Sequence, residues 1–538
     1  MSAKKAKRTS PRKAGKTGGK SNTRKVRSAL IPNRGEIALR VVRTLKGLGI
    51  RSVVAHSEVD GDSAAVQLAD DAILLGPAAP GESYLSVERV MEAASKTNVD
   101  ALHPGYGFLS ERQELAQACE DQGVTFIGPS AENIRLMGDK IAAREALTQV
   151  GLEVVPGDRE PVDTIEALEK TAKSIGYPLM LKAAAGGGGK GIRVVRSARD
   201  LEAAFRLARS EAENAFNDPT MFVERYLEGS RHVEVQIVGD GKGGVRVFPE
   251  RDCSTQRRHQ KLFEETPCPA LDEDLRERLL GMAFEAIKLS KYRGAGTIEF
   301  LFDGKDQIYF LEMNTRLQVE HPITELVTGV DLVAEQIAVA EGQQFSGKTL
   351  DAVRVPGSGA AVEFRVNAED PLEGFQPCTG TVHGVVLPGG PGVRVDTALR
   401  NGLEVTPFYD SLLAKVIAHG RDRAEALQRI RVACEEMRVG GLATTLPVAL
   451  ALFDDSDFMA GNNHCQFLEE RLDQSEFLEK TPDTDLAHAL AIAAAHLRQS
   501  EAAGTRAPRP SAARPSSTDT LSPWARLGRT RGLRGLER

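Results

Sequence analysis

No run of about 18 apolar residues occurs anywhere in the chain, which argues against a helical membrane span. Cysteine is sparse: Cys119, Cys253, Cys268, Cys378, Cys434 and Cys465 stand apart, with no C-x-x-C spacing. In a chain this long that pattern predicts reduced thiols in a cytoplasmic compartment and no structural zinc. The basic N-terminal stretch lacks an apolar h-region and is not read as a secretory signal. No internal repeat is visible, and no P-loop either: Lys190 is followed by Gly191, where the metal would need Ser or Thr.

What is present describes a large globular protein. A length of 538 residues predicts about three domains. Hydrophobic residues at 41% against 27% charged leave ample material for cores. The formal charge of −6 conceals unlike regions, since residues 1–27 hold eleven Lys and Arg and no acid. Residues 501–538 add eight Arg against three acids, which leaves 28–500 at a net −22. A body so acidic repels a phosphate backbone, so nucleic acid is excluded as substrate. Residues 1–25 are predicted to be a disordered basic tail; a basic arm and an organellar presequence are the functional readings weighed beside it.

The stretch "RSALIPNRGEIALRVVRTLKGLGIRSVVAHSE" predicts a strand to Pro32, a turn at Asn33-Arg34-Gly35, a helix over roughly 36–48 and a strand at Ser52–His56. Short apolar runs at 71–75, 100–103 and 124–127 alternate with helical stretches at 84–96 and 111–122. The first domain is therefore expected to be an open parallel α/β sheet. A smaller unit from Gly157 to about Glu228 has helical pieces at 164–175 and 200–216. Strand patterns follow at 231–238, 244–248, 296–302 and 307–313, predicting a mostly antiparallel sheet. A further helix is expected at 423–437, and the Ala/Pro/Ser/Arg-rich end reads as a linker.

Four glycines in "KAAAGGGGKGIRVV" fit the spacing of a dinucleotide fingerprint, yet that fingerprint must open a helix. The residues that follow, Ile192-Arg193-Val194-Val195, read as strand, so the glycines are expected at the tip of a β-hairpin. In "GTIEFLFDGKDQIYFLEMNTRLQVEHPITE" two strands present Glu299 and Glu312, and Glu312, Asn314, Arg316, Gln318 and Glu320 alternate with other residues. If the chain stays extended, these five project to one side. Hard oxygens on neighbouring strands suit Mg²⁺ that keeps phosphate oxygens as its other ligands; a solvated sheet face with paired charges is the competing reading. "ERDCSTQRRHQKLFEE" concentrates donors suited to anions, or forms an exposed basic loop. "RHVEVQ" places His232, Glu234 and Gln236 on one strand face, and a lone strand histidine is commonly structural. "HPGYGFLSE" has the composition of a loop at a strand's carboxyl end, where open α/β sheets bind ligands, or of a plain structural turn.

A glycine hairpin, nearby lysines, two acidic strand residues and an asparagine form a parts list for ATP and Mg²⁺. The ordered set "IPNRGEIALR", "HPGYGFLSE", "IRLMGDK", "KAAAGGGGKG", "ERDCSTQRRHQK", "RGAGTIEF", "EMNTRLQVEHPITE", "EFRVNAEDP" and "YDSLLAKV" resembles the biotin carboxylase component of biotin-dependent carboxylases. These are acyl-CoA carboxylases of the acetyl- and propionyl-CoA type, within the ATP-grasp superfamily. The resemblance spans roughly 26–470.

It implies an α/β and α+β chain with the ATP-grasp fold: an N-terminal parallel domain over 26–140, a lid over 141–228, an ATP-grasp core over 229–345 and a mostly antiparallel C-terminal domain over 346–470. A helical tail and linker would fill 471–538. By resemblance Lys140 and Lys182 bind ATP phosphates under a lid containing Gly186, Gly187, Gly188 and Gly189, where backbone N–H groups approach phosphate without a Cβ in the way. Glu224, Arg225 and Leu227 would hold adenine, with His232, Gln256 and His259 around the nucleotide. Glu299, Glu312 and Asn314 would bind two Mg²⁺ or Mn²⁺ ions. Lys261, Arg316, Gln318 and the Val319 N–H would position bicarbonate, and Glu320 would be its general base. Arg365 would stabilise the biotin enolate, with Tyr106 as a further biotin contact.

The resemblance also implies a biotin carboxyl carrier protein, a carboxyltransferase subunit and a homodimer, with no membrane partner. No Met-Lys pair of the biotin-acceptor kind occurs. Biotin is therefore expected on another polypeptide, unless the chain is a truncated long subunit. Two alternatives stand beside this reading: another ATP-grasp carboxylate ligase, or a catalytically silent scaffold. Only the biotin reaction needs both Glu320 and Arg365, and a scaffold would need neither.

Overall fold

The structure is a computed structural model describing residues 25–138, 148, 151–157, 161–183, 192–216, 218–474 and 476–478. Lys140, Gly186, Gly187, Gly188, Gly189, the basic tail to residue 24 and residues 479–538 lie outside the described residues. Among the described residues no helix is long and apolar enough to cross a membrane.

Strands β1 (Ser28–Ile31), β2 (Arg51–Ser57), β3 (Asp71–Gly76), β4 (Ala101–Leu102) and β5 (Thr125–Phe126) form one parallel sheet in the order β3-β2-β1-β4-β5. Helix α1 (Gly35–Gly47) follows β1 and buries Ile37, Val41, Val42 and Leu45 on the face its periodicity predicts. The strand order reverses between β1 and β4, which opens a crevice at their carboxyl ends. Asn33, after β1, closes that crevice on one side: its Nδ2 donates to the carbonyls of Pro104 (2.7 Å) and Tyr106 (2.8 Å), beyond β4.

The small unit is a three-stranded antiparallel sheet, β7-β6-β8, of β6 (Leu179–Ala183), β7 (Ile192–Val195) and β8 (Met221–Arg225). Lys182 pairs with Ile192, so the strands flanking the glycine run are antiparallel neighbours; the run itself lies outside the described residues. Helices α2 (Ile165–Ile175) and α3 (Leu201–Phe216) cover the sheet, burying Leu168, Phe205 and Ala208 against Leu179, Leu181 and Val223. Thr164 Oγ1 caps α2 by accepting from the Ala167 N–H.

Antiparallel strands β9 (Arg231–Asp240), β10 (Val245–Arg257), β11 (Gln260–Thr266), β12 (Arg293–Phe302), β13 (Ile308–Asn314), β14 (Ala360–Asn367), β15 (Val393–Thr397) and β16 (Leu412–Gly420) form one eight-stranded sheet, ordered β13-β12-β9-β10-β11-β14-β16-β15. Its earlier and later strands form one continuous ladder, because β11 pairs directly with β14. Helix α4 (Glu273–Ser290), capped by Asp272, packs Leu279, Leu280, Ala283 and Ile287 onto Val233, Val235, Ile298 and Phe300. With that face apolar, the alternate residues of β9 and β12 point to the other side, where the polar groups gather.

The donor-rich segment 250–265 forms strand, turn and strand, with Arg258 and His259 turning at φ 47° and 65°, which sets aside the competing reading of an exposed basic loop. One expectation needs correction. The segment after Glu312 does not stay extended: β13 ends at Asn314, and Pro322 starts helix α5 (His321–Thr328) with Glu320 as its N-cap residue. Proline is favoured in a first helical turn, where its missing N–H has no partner to lose.

Candidate active site

On the polar face, Arg251, Glu234, Glu299 and Glu312 are successive cross-strand partners on β10, β9, β12 and β13. Thr297 stands between Gln236 and Asn314 in the neighbouring row. Directly opposed residues of an antiparallel ladder project to the same side. Glu299, Glu312 and Asn314 therefore share one face, as the alternation predicts.

Lys261, on β11, is the hub of this face. Its Nζ lies 2.6 Å from Glu234 Oε2, 2.9 Å from Glu299 Oε1 and 2.7 Å from Glu320 Oε1. Burial works against the ammonium, and the surrounding carboxylates of Glu234, Glu299 and Glu320 overturn it, holding Lys261 well above the ordinary lysine value. Glu320 meets a second cation: Arg365 Nη2 lies 2.9 Å from its Oε2. Burial opposes ionisation of Glu320, but Lys261, Arg365 and Arg251 hold its carboxyl well below the usual carboxylate range. Arg365 also donates from Nε to Glu264 Oε1 (2.6 Å). Burial lifts Glu264 to about 7, against the pull of Arg365.

A bulge aims these groups. Thr255 pairs with Phe263 but Gln256 with Lys261, so Leu262 is an extra residue on β11. Bulges re-aim side chains next to sites. Lys261 and Glu264, three residues apart, thereby serve one face, while Phe263 stays in the apolar core.

The loop after β13 closes the site. Arg316 donates to Glu111 Oε2 (2.7 Å), Gln318 Oε1 (2.8 Å) and Asn314 Oδ1 (3.0 Å). Gln318 Nε2 in turn donates to Glu299 Oε1 (3.0 Å). Arg251, fully buried, donates to Glu234, Gln236, Thr297 and Thr324, so it braces the acidic row from behind.

The other predicted residues lie around this centre. His232 Nε2 is 3.2 Å from Glu299 Oε2. Gln256 is buried on β10 opposite Lys261, and His259 occupies the exposed β10–β11 turn. In the small unit Lys182 pairs with Glu224, while Arg225 is exposed and Leu227 half-buried. Tyr106 donates its hydroxyl to Glu36, near Lys415. Sequence reasoning missed Glu264, Glu363, Glu111, Glu36 and Lys415 as members of the charge network. Glu111, Glu36, Lys415 and Glu363 sit inside the recognised motifs, which was the available signal; Glu264 lies outside them and meets Glu363 only through strand register.

Three sequence-family models match in order: the biotin carboxylase N-terminal domain over 25–134, the carbamoyl-phosphate synthase L chain ATP-binding domain over 139–348 and the biotin carboxylase C-terminal domain over 363–470. The chain is 46% identical to biotin carboxylase 1 of Bacillus subtilis over 445 residues, which is 82% of this chain and 98% of that protein. The chain belongs to the biotin carboxylase family. Among solved structures of biotin carboxylases, that of the Hydrogenobacter thermophilus 2-oxoglutarate carboxylase domain dimer, with MgADP, ADP and bicarbonate, matches with a TM-score of 0.80 at 41% identity. It covers 85% of this chain and all of that one, 100%. The Campylobacter jejuni biotin carboxylase in complex with β,γ-ATP also matches with a TM-score of 0.80, at 42% identity, over 84% of this chain and 100% of that one.

Proposed function

We propose that the chain carboxylates biotin on a separate biotin carboxyl carrier protein, using ATP and bicarbonate, as the first half-reaction of an acyl-CoA carboxylase. One observation carries this reading: Glu320 touches both Lys261 and Arg365, so a base, a cation for the incoming anion and a cation for the acceptor converge on one carboxylate. Glu299, Glu312 and Asn314 offer hard oxygens on one face, a donor set that fits Mg²⁺ or Mn²⁺. Such ions would neutralise charge on phosphate oxygens. Lys182 and Glu224 would serve the nucleotide, together with Lys140, the glycine lid, Arg225, Leu227, His232, Gln256 and His259.

Bicarbonate would be held by Lys261, Arg316, Gln318 and the Val319 N–H. Before it binds, Lys261 divides its hydrogen bonds among three carboxylates. When the anion draws Lys261 towards itself, Glu320 loses part of the field that depresses its proton affinity. Its carboxylate then becomes a competent base at the moment the proton must move. The deprotonated anion attacks the terminal phosphorus of ATP to give carboxyphosphate, and ADP departs. Carboxyphosphate breaks to CO₂ and phosphate, the phosphate removes the ureido N1 proton of biotin, and the enolate forms beside Arg365. The nitrogen then bonds to CO₂.

The domain limits given by the resemblance, a homodimer, a carboxyltransferase partner and a cytoplasmic setting belong to the same proposal. The six free cysteines agree with a reducing setting. The test is ATP cleavage in the presence of bicarbonate, with and without free biotin. Stimulation by biotin should fall about a hundredfold or more in Glu320→Ala and Arg365→Ala, the scale of losing a positioned acid–base or electrostatic group. ATP cleavage that ignores bicarbonate, or biotin stimulation that survives in both variants, overturns the proposal.

A further inference from the structure

Lys415 lies mid-strand on β16 with none of its surface exposed, opposite Arg365 on β14 and Asp396 on β15. A buried ammonium is unfavourable unless it is paired and hydrogen-bonded, and an apolar residue of similar size would fill the space more readily. Lys415 meets groups from three separated parts of the chain. Its Nζ donates to the Val319 carbonyl at 2.8 Å and stands 3.2 Å from Glu36 Oε1, with Asp396 Oδ2 at 3.9 Å. Glu36 comes from the first turn of α1 in the N-terminal sheet region, and the Tyr106 hydroxyl from the β4 crevice binds the same Oε1. The ammonium also lies 5.9 Å from the centre of the Tyr106 ring.

The carbonyl that Lys415 holds belongs to the segment Gln318-Val319-Glu320. The carbonyl before it is held as well, since His321 Nδ1 lies 2.8 Å from Gln318 O. His321 is fully buried, and burial together with Lys415, Arg40 and Arg394 keeps it neutral. Its Nδ1 is thereby assigned the proton, because a carbonyl can only accept. With two consecutive carbonyls clamped on one side, the Val319 N–H and the Glu320 carboxylate have fixed directions on the other.

We propose that Lys415 is a positioning residue that orients the Gln318–Glu320 segment through the Val319 carbonyl and anchors it to the N-terminal region through Glu36 and Tyr106. This rests on the reading of that segment as the bicarbonate site. Lys415 touches no reactant; it fixes the direction of groups that do.

The experiment compares the wild-type chain with Lys415→Met and Glu36→Gln. Glu36→Gln keeps an acceptor for Lys415 and Tyr106 but removes the charge. Lys415→Met should raise the KM for bicarbonate about tenfold or more, the size of one charge-assisted hydrogen bond, with the Kd for MgATP within about twofold. Glu36→Gln should show the same split with a rise of about threefold, since it weakens the clamp without removing it. Hydrogen exchange read on peptides covering 316–320 should quicken in both variants, a measurement that needs no turnover. Should Lys415→Met fail to fold, Glu36→Gln carries the comparison alone. Equal rises for bicarbonate and MgATP, or unchanged bicarbonate KM with unchanged exchange at 316–320, overturn the assignment. A wild-type chain without bicarbonate-dependent ATP cleavage would instead sink the functional reading, and the exchange result would still decide whether Lys415 holds the segment.

Discussion

Replacing Lys261 by methionine keeps an unbranched side chain, one atom shorter, and removes the ammonium that touches Glu234, Glu299 and Glu320 together. Each carboxylate retains a partner: Glu234 keeps Arg251, Glu299 keeps Gln318 and His232, and Glu320 keeps Arg365. The loss of stability should therefore sit at the lower end of the range for a broken buried pair, about 3 kcal/mol. For a chain of this size unfolding entropy converts that into a fall in Tm of about 3 °C near pH 8. In the wild type Glu320 lies below its unfolded value, so its contribution is present above about pH 4.5 and is lost as pH falls through the depressed folded value. Without Lys261 that carboxyl rises, so the variant protonates first on acidification and the gap in Tm narrows below about pH 5. In function the same change should raise the KM for bicarbonate ten- to a hundredfold, equivalent to about 1.5–3 kcal/mol for a hydrogen bond to a charged group, with the Kd for MgATP changed less than about threefold. The assays are bicarbonate titration of ATP cleavage, calorimetric titration with MgATP and thermal unfolding across pH. Equal losses for nucleotide and bicarbonate would refute the role of Lys261, and a Tm gap that widens on acidification would refute the electrostatic account.

Glu264, raised by burial to about 7, favours folding most fully below about pH 4.5, and that contribution is lost as pH rises through about 7. Glu264→Gln should therefore flatten the decline of Tm between about pH 5 and 8, recovering at most about 3 kcal/mol; an unchanged slope would show that Glu264 is ionised throughout. Gly239→Ala would set a Cβ 2.2 Å from the Tyr292 carbonyl oxygen, a backbone atom with little freedom to yield. A loss of about 1–3 kcal/mol in denaturant unfolding is expected, and wild-type stability would show that β9 and the β12 approach can separate without strain.

The legible parts of this molecule are those set by short-range pattern. The alternation that brings Glu299 opposite Glu312, the apolar stripe of α1 and the strand character of Ile192–Val195 can all be read residue by residue. The extension expected through Glu320 fails because Pro322, only two positions later, seeds a helix that strand periodicity does not register. Helix α4 carries signals of its own, with Asp272 as cap and Leu279, Leu280, Ala283 and Ile287 on one stripe, but it lies inside a run of strand patterns. The least legible feature is the bulge at Leu262, since nothing in "QKLFEET" reveals that Lys261 and Glu264 share a face. Nor does any spacing foretell that Glu264 faces Glu363 across a ladder closed by residues about a hundred positions apart. Buried charges of this kind are chosen by tertiary register, and local propensity is silent about them.

The continuity of the long sheet makes the family boundary between the second and third matched segments a poor place to cut. Excising residues beyond about 350 would not free an independent module, because β11 would be left as a bare edge with a row of unmatched amides and carbonyls inviting aggregation. The same cut would strip the guanidinium of Arg365 from Glu264 and Glu320, leaving Glu320 to Lys261 and pressing Glu264 towards taking up a proton.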